Sequence, residues 1–300
     1  MKIAVMGAGA VGCYFGAMLA KGGHSVTLIA RPQHVAAIKA QGLILETSKG
    51  RETVKLDATP EASGVSGADV VLFCVKSTDT AAAGAEMKPH LKPDTTILSL
   101  QNGVDNPERL SAVLDRPVVP VAVYVATDMP GAGHVRHHGR GDLAIGPCPA
   151  GETIVAEFTK AGVPTVISPK VLDVLWGKLV MNCCYNALSA VAQLPYGRIV
   201  PVAGVTDLMA DVLAEIRAVT AKLGIGIAPD IMDAVLALSR SMGAQYSSTA
   251  QDVARGKPSE IDYINGHVVK KGEELGVPTP ANRALWVMTK LAELKAAEKA

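Results

Sequence analysis

The residues GAGAVG at positions 7–12 follow an apolar run and precede a helical pattern. Gly7, Gly9 and Gly12 have the spacing G-x-G-x-x-G. In a strand-turn-helix unit the first glycine permits a tight turn, the second lets the backbone approach a pyrophosphate, and the third lets the helix pack on the sheet. The motif therefore predicts a Rossmann-type dinucleotide site; S-adenosylmethionine or a purely structural turn are the alternatives. The residues expected to line the cofactor are Gly7, Ala8, Gly9, Ala10, Val11 and Gly12.

The first half of the chain alternates short β-branched runs with helical patterns, which predicts parallel strands joined by crossover helices. The predicted strands are residues 2–7, 25–30, 69–75, 95–100 and 117–126. Helical patterns such as 80–90 and 105–114 separate most of them. Two further strand-like runs within 42–57 flank Lys49-Gly50 and predict a hairpin.

After about residue 168 the runs become long and helical, which predicts an all-α second half. The predicted helices span roughly 170–190, 203–224, 229–242, 259–275 and 280–298. We expect an α/β chain with a Rossmann domain at 1–168 and an all-α domain at 169–300. The length of 300 residues, 49% of them hydrophobic, is sufficient for two cores.

Charge and cysteine content exclude several classes of protein. The chain has 29 basic and 28 acidic residues and no long run of either sign, so we expect neither nucleic acid nor a membrane surface as a partner. No segment reaches the roughly 18 apolar residues of a membrane span. Glycines interrupt the first apolar run, which argues against a signal peptide. The five cysteines form no C-x-x-C pair, which favours reduced thiols in the cytoplasm.

Two further motifs are set aside. His134, His137 and His138 lack a carboxylate or cysteine at metal-ligand spacing, so no metal site is expected. We interpret this stretch, with the RGD tripeptide at 140–142, as a surface loop between strands.

The end of the second predicted strand discriminates between dinucleotides. An NAD site usually carries an acidic residue there, whereas an NADP site supplies a cation. This chain has Ala30 followed by Arg31, and a guanidinium suits a 2′-phosphate. NADP(H) is therefore favoured over NAD(H); an ordinary exposed arginine is the alternative.

Lys76 and Asn102 follow two other predicted strands, at the sheet edge where α/β proteins bind ligands. A solvated lysine and a simple Asn-Gly turn are equally compatible with the sequence.

The segment LWGKLVMNCCYNALS at 175–189 is apolar apart from a few polar residues. Lys178, Asn182 and Asn186 recur every four residues and fall on one stripe of a helix. Polar groups buried without partners cost about 1–3 kcal/mol each, so the stripe needs protein or ligand partners. A lysine ammonium framed by amides could protonate a ketone oxygen during hydride transfer.

A later polar cluster contains the sequence PSEID at 258–262. Ser259 is expected to cap a helix, with Glu260 and Asp262 in its first turn. Glu260 could also pair with Lys178 or with a substrate hydroxyl.

The chain resembles the ketopantoate reductase (2-dehydropantoate 2-reductase) family over essentially its whole length. The resemblance is carried by GAGAVG at 7–12, LQNGV at 100–104, WGKLVMNCCYNALSA at 176–190 and YSSTAQDVARGKPSEIDYING at 246–266. It implies NADPH-dependent reduction of 2-dehydropantoate to pantoate, in pantothenate biosynthesis, in a cleft between a Rossmann domain and a helical domain. Gln245 departs from the family, whose members often carry asparagine at that position.

The resemblance also assigns roles to individual residues. Lys178 would be the general acid, and Glu260 would orient it or bind the substrate hydroxyl. Arg31 would meet the 2′-phosphate, Lys76 would lie near the nicotinamide, and Asn102 would also contact the cofactor. The residues expected to hold the 2-oxo acid are Asn102, Asn182, Asn186 and Ser248.

Three alternative functions remain at this stage: a D-2-hydroxyacid dehydrogenase, a non-catalytic NADP(H) sensor and a methyltransferase. The pair Lys178 and Glu260 argues against a sensor, and the lysine together with Arg31 argues against a methyltransferase. The sequence is compatible with a homodimer and does not fix the oligomeric state.

Overall fold

The computed structural model describes residues 1–298 and divides into two compact units, Met1–Val171 and a second that begins at Leu172. The first unit combines a sheet with helices. Its strands are β1 (Lys2–Met6), β2 (Ser25–Ile29), β3 (Leu43–Thr47), β4 (Gly50–Val54), β5 (Asp57–Thr59), β6 (Val70–Phe73), β7 (Thr96–Ser99), β8 (Val119–Gly131), β9 (His134–Ile145) and β10 (Thr165–Ile167). Its helices are α1 (Ala10–Lys21), α2 (Pro32–Gln41), α3 (Thr80–Met87), α4 (Asn106–Leu114) and α5 (Gly151–Lys160).

Six strands of this sheet run parallel in the order β5-β2-β1-β6-β7-β8. The chain leaves β1 through α1 toward β2 on one side and later returns to β6 on the other side. The strand order therefore reverses between β1 and β6. In open α/β sheets this reversal point, at the carboxyl ends of the strands, is where ligands bind.

The sheet is buried on both faces, as parallel sheets with crossover helices usually are. Side chains alternate along β1, so Ile3 and Val5 join one core cluster with α1 while Ala4 and Met6 join the opposite cluster with α3 and α4. All four residues are at most 5% exposed. This two-sided burial explains why the strand is continuously apolar.

The predicted hairpin is present, with β3 and β4 antiparallel on either side of Ser48 and Lys49. The surface loop expected around residues 134–142 is wrong. These residues belong to β9, which pairs antiparallel with β8 through a ladder interrupted by bulges. The stretch is rich in histidine, arginine and glycine rather than β-branched residues, so its strand character depends on the long-range pairing with β8.

The histidines of β9 are engaged with protein groups. His134 Nε2 lies 2.8 Å from Glu46 Oε2, and His138 Nε2 lies 2.7 Å from Asp128 Oδ1. Across residues 1–298, no group of three or more His, Cys, Asp or Glu side chains is arranged to hold a metal ion.

Helices are the regular secondary structure of the second unit within its described residues. Its helices are α6 (Val171–Ala192), α7 (Tyr196–Ile199), α8 (Val205–Leu223), α9 (Ile231–Ser241), α10 (Ser248–Ala254), α11 (Asn265–Leu275) and α12 (Pro280–Ala297). The expected fold class, α/β followed by all-α, is confirmed. None of the helices within 1–298 has the length and hydropathy of a bilayer span.

The helix predicted over 259–275 is wrong at its start. Residues 261–263 form a single 3-10 turn, and α11 begins only at Asn265. The helices α7 and α10 are short, at 4 and 7 residues, and carry too few turns to show a helical period in the sequence.

Candidate active site

The glycine turn lies at the carboxyl end of β1, and its three glycines are required for different reasons. Gly7 has φ +91°, and a Cβ there would lie 2.6 Å from the backbone nitrogen of Val75. A Cβ on Gly12 would lie 2.7 Å from the carbonyl oxygen of Gly7. Gly9 is exposed, and a Cβ there would meet no protein atom within 4 Å. Contacts within the protein require glycine at positions 7 and 12. At position 9 the protein has room for a side chain, so only a bound molecule would require glycine there.

This geometry fits the pyrophosphate of a dinucleotide. Gly9 is the N-cap of α1, and its side of the turn is open, so an anion can approach the backbone closely. The first turn of α1 contains no acidic residue that would repel a phosphate. The unpaired N–H groups and the dipole of a helix N-terminus stabilise such an anion.

Arg31 lies at the carboxyl end of β2, which is parallel to β1, and therefore at the same edge of the sheet. It is exposed and forms the N-cap of α2, directly after Ala30. Burial and the nearby Arg31 charge lower the pKa of His34, one turn along α2. His34 therefore stays neutral near neutral pH and leaves Arg31 as the cation beside the strand end.

Lys76 and Asn102 follow β6 and β7, so they too lie at this edge. The two loops are tied together by buried polar side chains. Asn106 Nδ2 donates to Ser77 Oγ at 2.9 Å and to the carbonyl oxygen of Asn102 at 2.6 Å. Ser77 and Asn106 are at most 1% exposed. These bonds hold the backbone next to Lys76 against the backbone of Asn102.

Two more residues extend this network beneath the loops. Gln101 Nε2 donates to Thr80 Oγ1 at 2.8 Å and to the carbonyl oxygen of Val75 at 3.1 Å. Thr80 Oγ1 in turn donates to Asn106 Oδ1 at 3.1 Å. Sequence reasoning missed Gln101, Thr80 and Asn106. The available signal was a run of small polar residues directly after each of two apolar strands.

The stripe of Lys178, Asn182 and Asn186 lies on α6 as predicted by its four-residue spacing. Lys178 and Asn182 are half-buried, and Asn186 is 3% exposed. Three polar side chains on one face of an otherwise apolar helix favour a polar ligand beside the stripe.

Neighbouring helices hold α6 in place. Tyr185 Oη donates to the carbonyl oxygen of Val235 on α9 at 2.8 Å, and Asn265 Nδ2 of α11 donates to the carbonyl oxygen of Cys183 at 3.2 Å. Burial raises the pKa of the Cys184 thiol to about 12. That thiol stays protonated and packs as a small apolar group, so it does not supply a nucleophile.

The serine segment docks on the same helix. Ser247 is 1% exposed, caps α10 by accepting from the backbone N–H of Ala250 at 3.0 Å, and donates to the carbonyl oxygen of Asn186 at 3.2 Å. Ser248, the next residue, is exposed. The structure thus brings Ser248 to the Asn186 end of the stripe through an anchor, Ser247, that the sequence did not single out. Thr249 Oγ1 is buried and has no hydrogen-bond partner within 1–298.

Glu260 is half-buried and precedes the 3-10 turn. Ser259 does not cap a helix here; its Oγ accepts from the backbone N–H of Ile261 at 3.2 Å. Asp262 does not neutralise a helix N-terminus either. Its carboxylate accepts from Trp286 Nε1 at 2.6 Å and from Lys290 Nζ at 2.9 Å. The expectation of capping is wrong because residues 261–263 form a 3-10 turn and α11 begins only at Asn265.

Two family models match the chain. Residues 3–150 match "Ketopantoate reductase PanE/ApbA", and residues 170–293 match "Ketopantoate reductase PanE/ApbA C terminal". Together they cover nearly the whole chain and both structural units.

Individual proteins agree with the family models. The chain is 34% identical to the 2-dehydropantoate 2-reductase of Vibrio cholerae over 303 residues and 31% identical to that of Pyrococcus horikoshii over 300 residues, with 98% of each chain covered. A crystal structure of a PanE/ApbA family ketopantoate reductase from Ralstonia eutropha superposes with a TM-score of 0.96 at 54% identity, covering 99% of both chains.

The fold also occurs in a more distant enzyme. A ternary structure of D-mandelate dehydrogenase with NADH and anilino(oxo)acetate has a TM-score of 0.93 at 24% identity, covering 99% of both chains, which demonstrates the shared fold alone. With the family models, the relatives and the glycine turn in agreement, the chain belongs to the ketopantoate reductase family and is an oxidoreductase.

Proposed function

We propose that the protein reduces 2-dehydropantoate to pantoate with NADPH, the activity for which its relatives are named. The observation that carries the proposal is the stripe on α6, where Lys178, Asn182 and Asn186 interrupt an otherwise apolar helix at successive turns. The reaction consumes one 2-oxo acid, one NADPH and one proton, and it yields one 2-hydroxy acid and NADP⁺.

The first unit would hold the cofactor, a nicotinamide dinucleotide. Gly9 and the start of α1 would bind the pyrophosphate, because that side of the turn is open and free of acidic residues. Arg31 would pair with the 2′-phosphate, and Ala30 leaves no carboxylate to repel it, which favours NADPH over NADH. When bound, the reduced nicotinamide supplies the hydride.

Lys178 would supply the proton. As the carbonyl carbon accepts a hydride, negative charge develops on the carbonyl oxygen, and an ammonium positioned against that oxygen lowers the barrier. Proton transfer of this kind contributes roughly 10²–10⁴-fold to rate. The half-buried position of Lys178 limits competing contact with bulk water.

The remaining residues would hold the substrate. Asn182 and Asn186 each offer an amide beside Lys178, and Ser248 lies next to the anchor at Asn186. Glu260 would orient the lysine or accept the substrate hydroxyl. From the first unit, Asn102 would bind the 2-oxo acid and Lys76 would lie near the nicotinamide. Residues of both units would therefore act on one substrate molecule.

Gln245 favours a second candidate, a D-2-hydroxyacid dehydrogenase that acts on another 2-oxo acid. The longer amide stands where the family resemblance leads us to expect asparagine, next to the serine segment. It is half-buried, and its backbone carbonyl accepts from the N–H of Tyr196 at 3.0 Å. A pocket bordered by glutamine would differ in shape from one bordered by asparagine.

A panel of 2-oxo acids tests the proposal. Initial rates of NADPH consumption are measured by near-ultraviolet absorbance with 2-dehydropantoate, pyruvate and benzoylformate, for the wild type and for Gln245→Asn. The proposal expects the highest kcat/KM with 2-dehydropantoate. A higher kcat/KM with benzoylformate or pyruvate, lost in Gln245→Asn, would replace it with the second candidate.

A further inference from the structure

The backbone on both sides of Glu260 is bound to the last helix. On one side, the backbone N–H of Ser259 donates to Glu293 Oε1 at 2.8 Å. On the other side, Asp262 accepts from Trp286 Nε1 at 2.6 Å and from Lys290 Nζ at 2.9 Å. Glu260 thus lies between two anchors that both lead to α12.

The three anchoring residues share one face of α12. Trp286, Lys290 and Glu293 are spaced by four and three residues, which places them on adjacent turns of the same side. Lys290 Nζ also lies 3.1 Å from Glu293 Oε2, so the anchors are linked to each other. Burial opposes the charge of Lys290, but its bonds to Asp262 and Glu293 outweigh burial and raise its pKa.

The helix that carries these anchors is itself fixed at its start. Glu215 of α8 accepts from the backbone N–H of Ala281 at 2.7 Å and from that of Asn282 at 3.0 Å. A carboxylate at this position satisfies N–H groups that a helix leaves unpaired and interacts favourably with its dipole. The helix that carries Trp286, Lys290 and Glu293 is therefore fixed at its start to α8.

The segment is also held in place locally. Ser259 Oγ accepts from the N–H of Ile261 at 3.2 Å, the N–H of Tyr263 donates to the carbonyl oxygen of Glu260 at 2.9 Å, and Ile261 is fully buried. Three-residue 3-10 turns have poor hydrogen-bond geometry. The bonds to α12 therefore add support to a short turn on both sides of Glu260.

We propose that Glu293, Trp286 and Lys290 are positioning residues for Glu260, holding its segment through Ser259 and Asp262. The inference rests on the proposed function, in which Glu260 takes part in the reaction. A misplacement of about 1 Å in a reacting group lowers rate by roughly 100-fold, so loss of one anchor should lower kcat by roughly 10–100-fold. The affinity for NADPH should not change.

Matched variants test this role. Glu293→Leu removes the acceptor for the Ser259 N–H, whereas Glu293→Gln keeps a carbonyl oxygen at the same reach and should restore most of kcat. Trp286→Phe removes one N–H donor and preserves an aromatic ring. Arg283→Ala is the control: Arg283 lies on the same helix and pairs with Glu273 at 2.7 Å, away from the segment. Its kcat should stay near that of the wild type.

A double-mutant cycle separates the inference from the proposed function. In the Glu260→Gln background, Glu293→Leu and Trp286→Phe should cause little further loss of kcat, because the residue they position is already disabled. Equal fold-losses in both backgrounds would refute the inference and leave the role of Glu260 intact. A Glu260→Gln enzyme with wild-type kcat would refute the role of Glu260 and the inference with it. Circular dichroism and the Kd for NADPH establish that each variant is folded.

Discussion

Gly9→Ala should weaken dinucleotide binding without a steric clash inside the protein. A Cβ at residue 9 has open space for 4 Å in the structure, and the backbone has φ −80°, which alanine adopts readily. The cost to folding is that of replacing glycine by alanine at an N-cap, about 1 kcal/mol or less. If the pyrophosphate lies against Gly9, the added methyl group occupies its place, and we expect the Kd for NADPH to rise by at least ~10-fold, equivalent to about 1.4 kcal/mol.

Gly12→Ala is the matched comparison. It belongs to the same motif, but it should mainly lower the free energy of unfolding, whereas Gly9→Ala should mainly weaken dinucleotide binding. Its Cβ would lie 2.7 Å from the carbonyl oxygen of Gly7 and 2.8 Å from Val5 Cγ1. The backbone oxygen cannot rotate away, so overpacking of about 1–3 kcal/mol or more is expected in the free energy of unfolding.

The assay combines urea unfolding followed by circular dichroism with fluorescence titration of NADPH. Gly9→Ala should raise the Kd for NADPH with little change in the urea midpoint. Gly12→Ala should lower the urea midpoint. Wild-type NADPH affinity in a folded Gly9→Ala protein would refute the placement of the pyrophosphate at this turn.

Three further predictions concern other parts of the first unit. Arg31→Ala should raise the Kd for NADPH by roughly 10–100-fold through loss of a charged hydrogen bond, with little effect on the Kd for NADH. Substitution of another exposed arginine, Arg51→Ala, is the control. An equal rise in the Kd of both cofactors would contradict the phosphate contact. Asn106→Ala should lower the free energy of unfolding by about 1–3 kcal/mol in urea titrations, because Ser77 and Asn102 lose their shared partner; an unchanged midpoint would contradict the importance of the network. Hydrogen bonds from the backbone N–H of Lys2 and from Lys92 lower the pKa of Asp69. The ionised carboxylate therefore stabilises the fold above the ordinary carboxyl pKa, and this stabilisation is lost as pH falls through the lowered folded-state pKa. Asp69→Asn should make the free energy of unfolding less dependent on pH in the acidic range, and an unchanged slope would count against this.

Local signals accounted for the parts of the fold that the sequence predicted. The glycine turn is recognised from the spacing of its three glycines, and the stripe on α6 follows from helical period alone. Both features could be located without knowledge of any distant contact. The family resemblance then added roles for Glu260 and Ser248 that no spacing rule provides.

The features that were predicted wrongly from the sequence depend on distant partners. The stretch at 134–142 becomes a strand because β8 and β3 provide pairing on either side, which its composition does not indicate. Ser259 and Asp262 resemble a helix start in sequence, but their partners Glu293 and Trp286 lie 34 and 24 residues further along the chain. The same holds for Asn106, whose partners follow a different strand. Such contacts leave no periodic trace in the sequence.

The most direct test of the proton donor is single-turnover reduction of 2-dehydropantoate by Lys178→Ala. The enzyme is loaded with NADPH, mixed with saturating substrate, and followed by nicotinamide absorbance. We expect a rate lower by roughly 10²–10⁴-fold, an unchanged Kd for NADPH, and partial recovery of the rate when a small primary ammonium ion is added. A wild-type rate in this variant would contradict the assignment of Lys178 as the general acid.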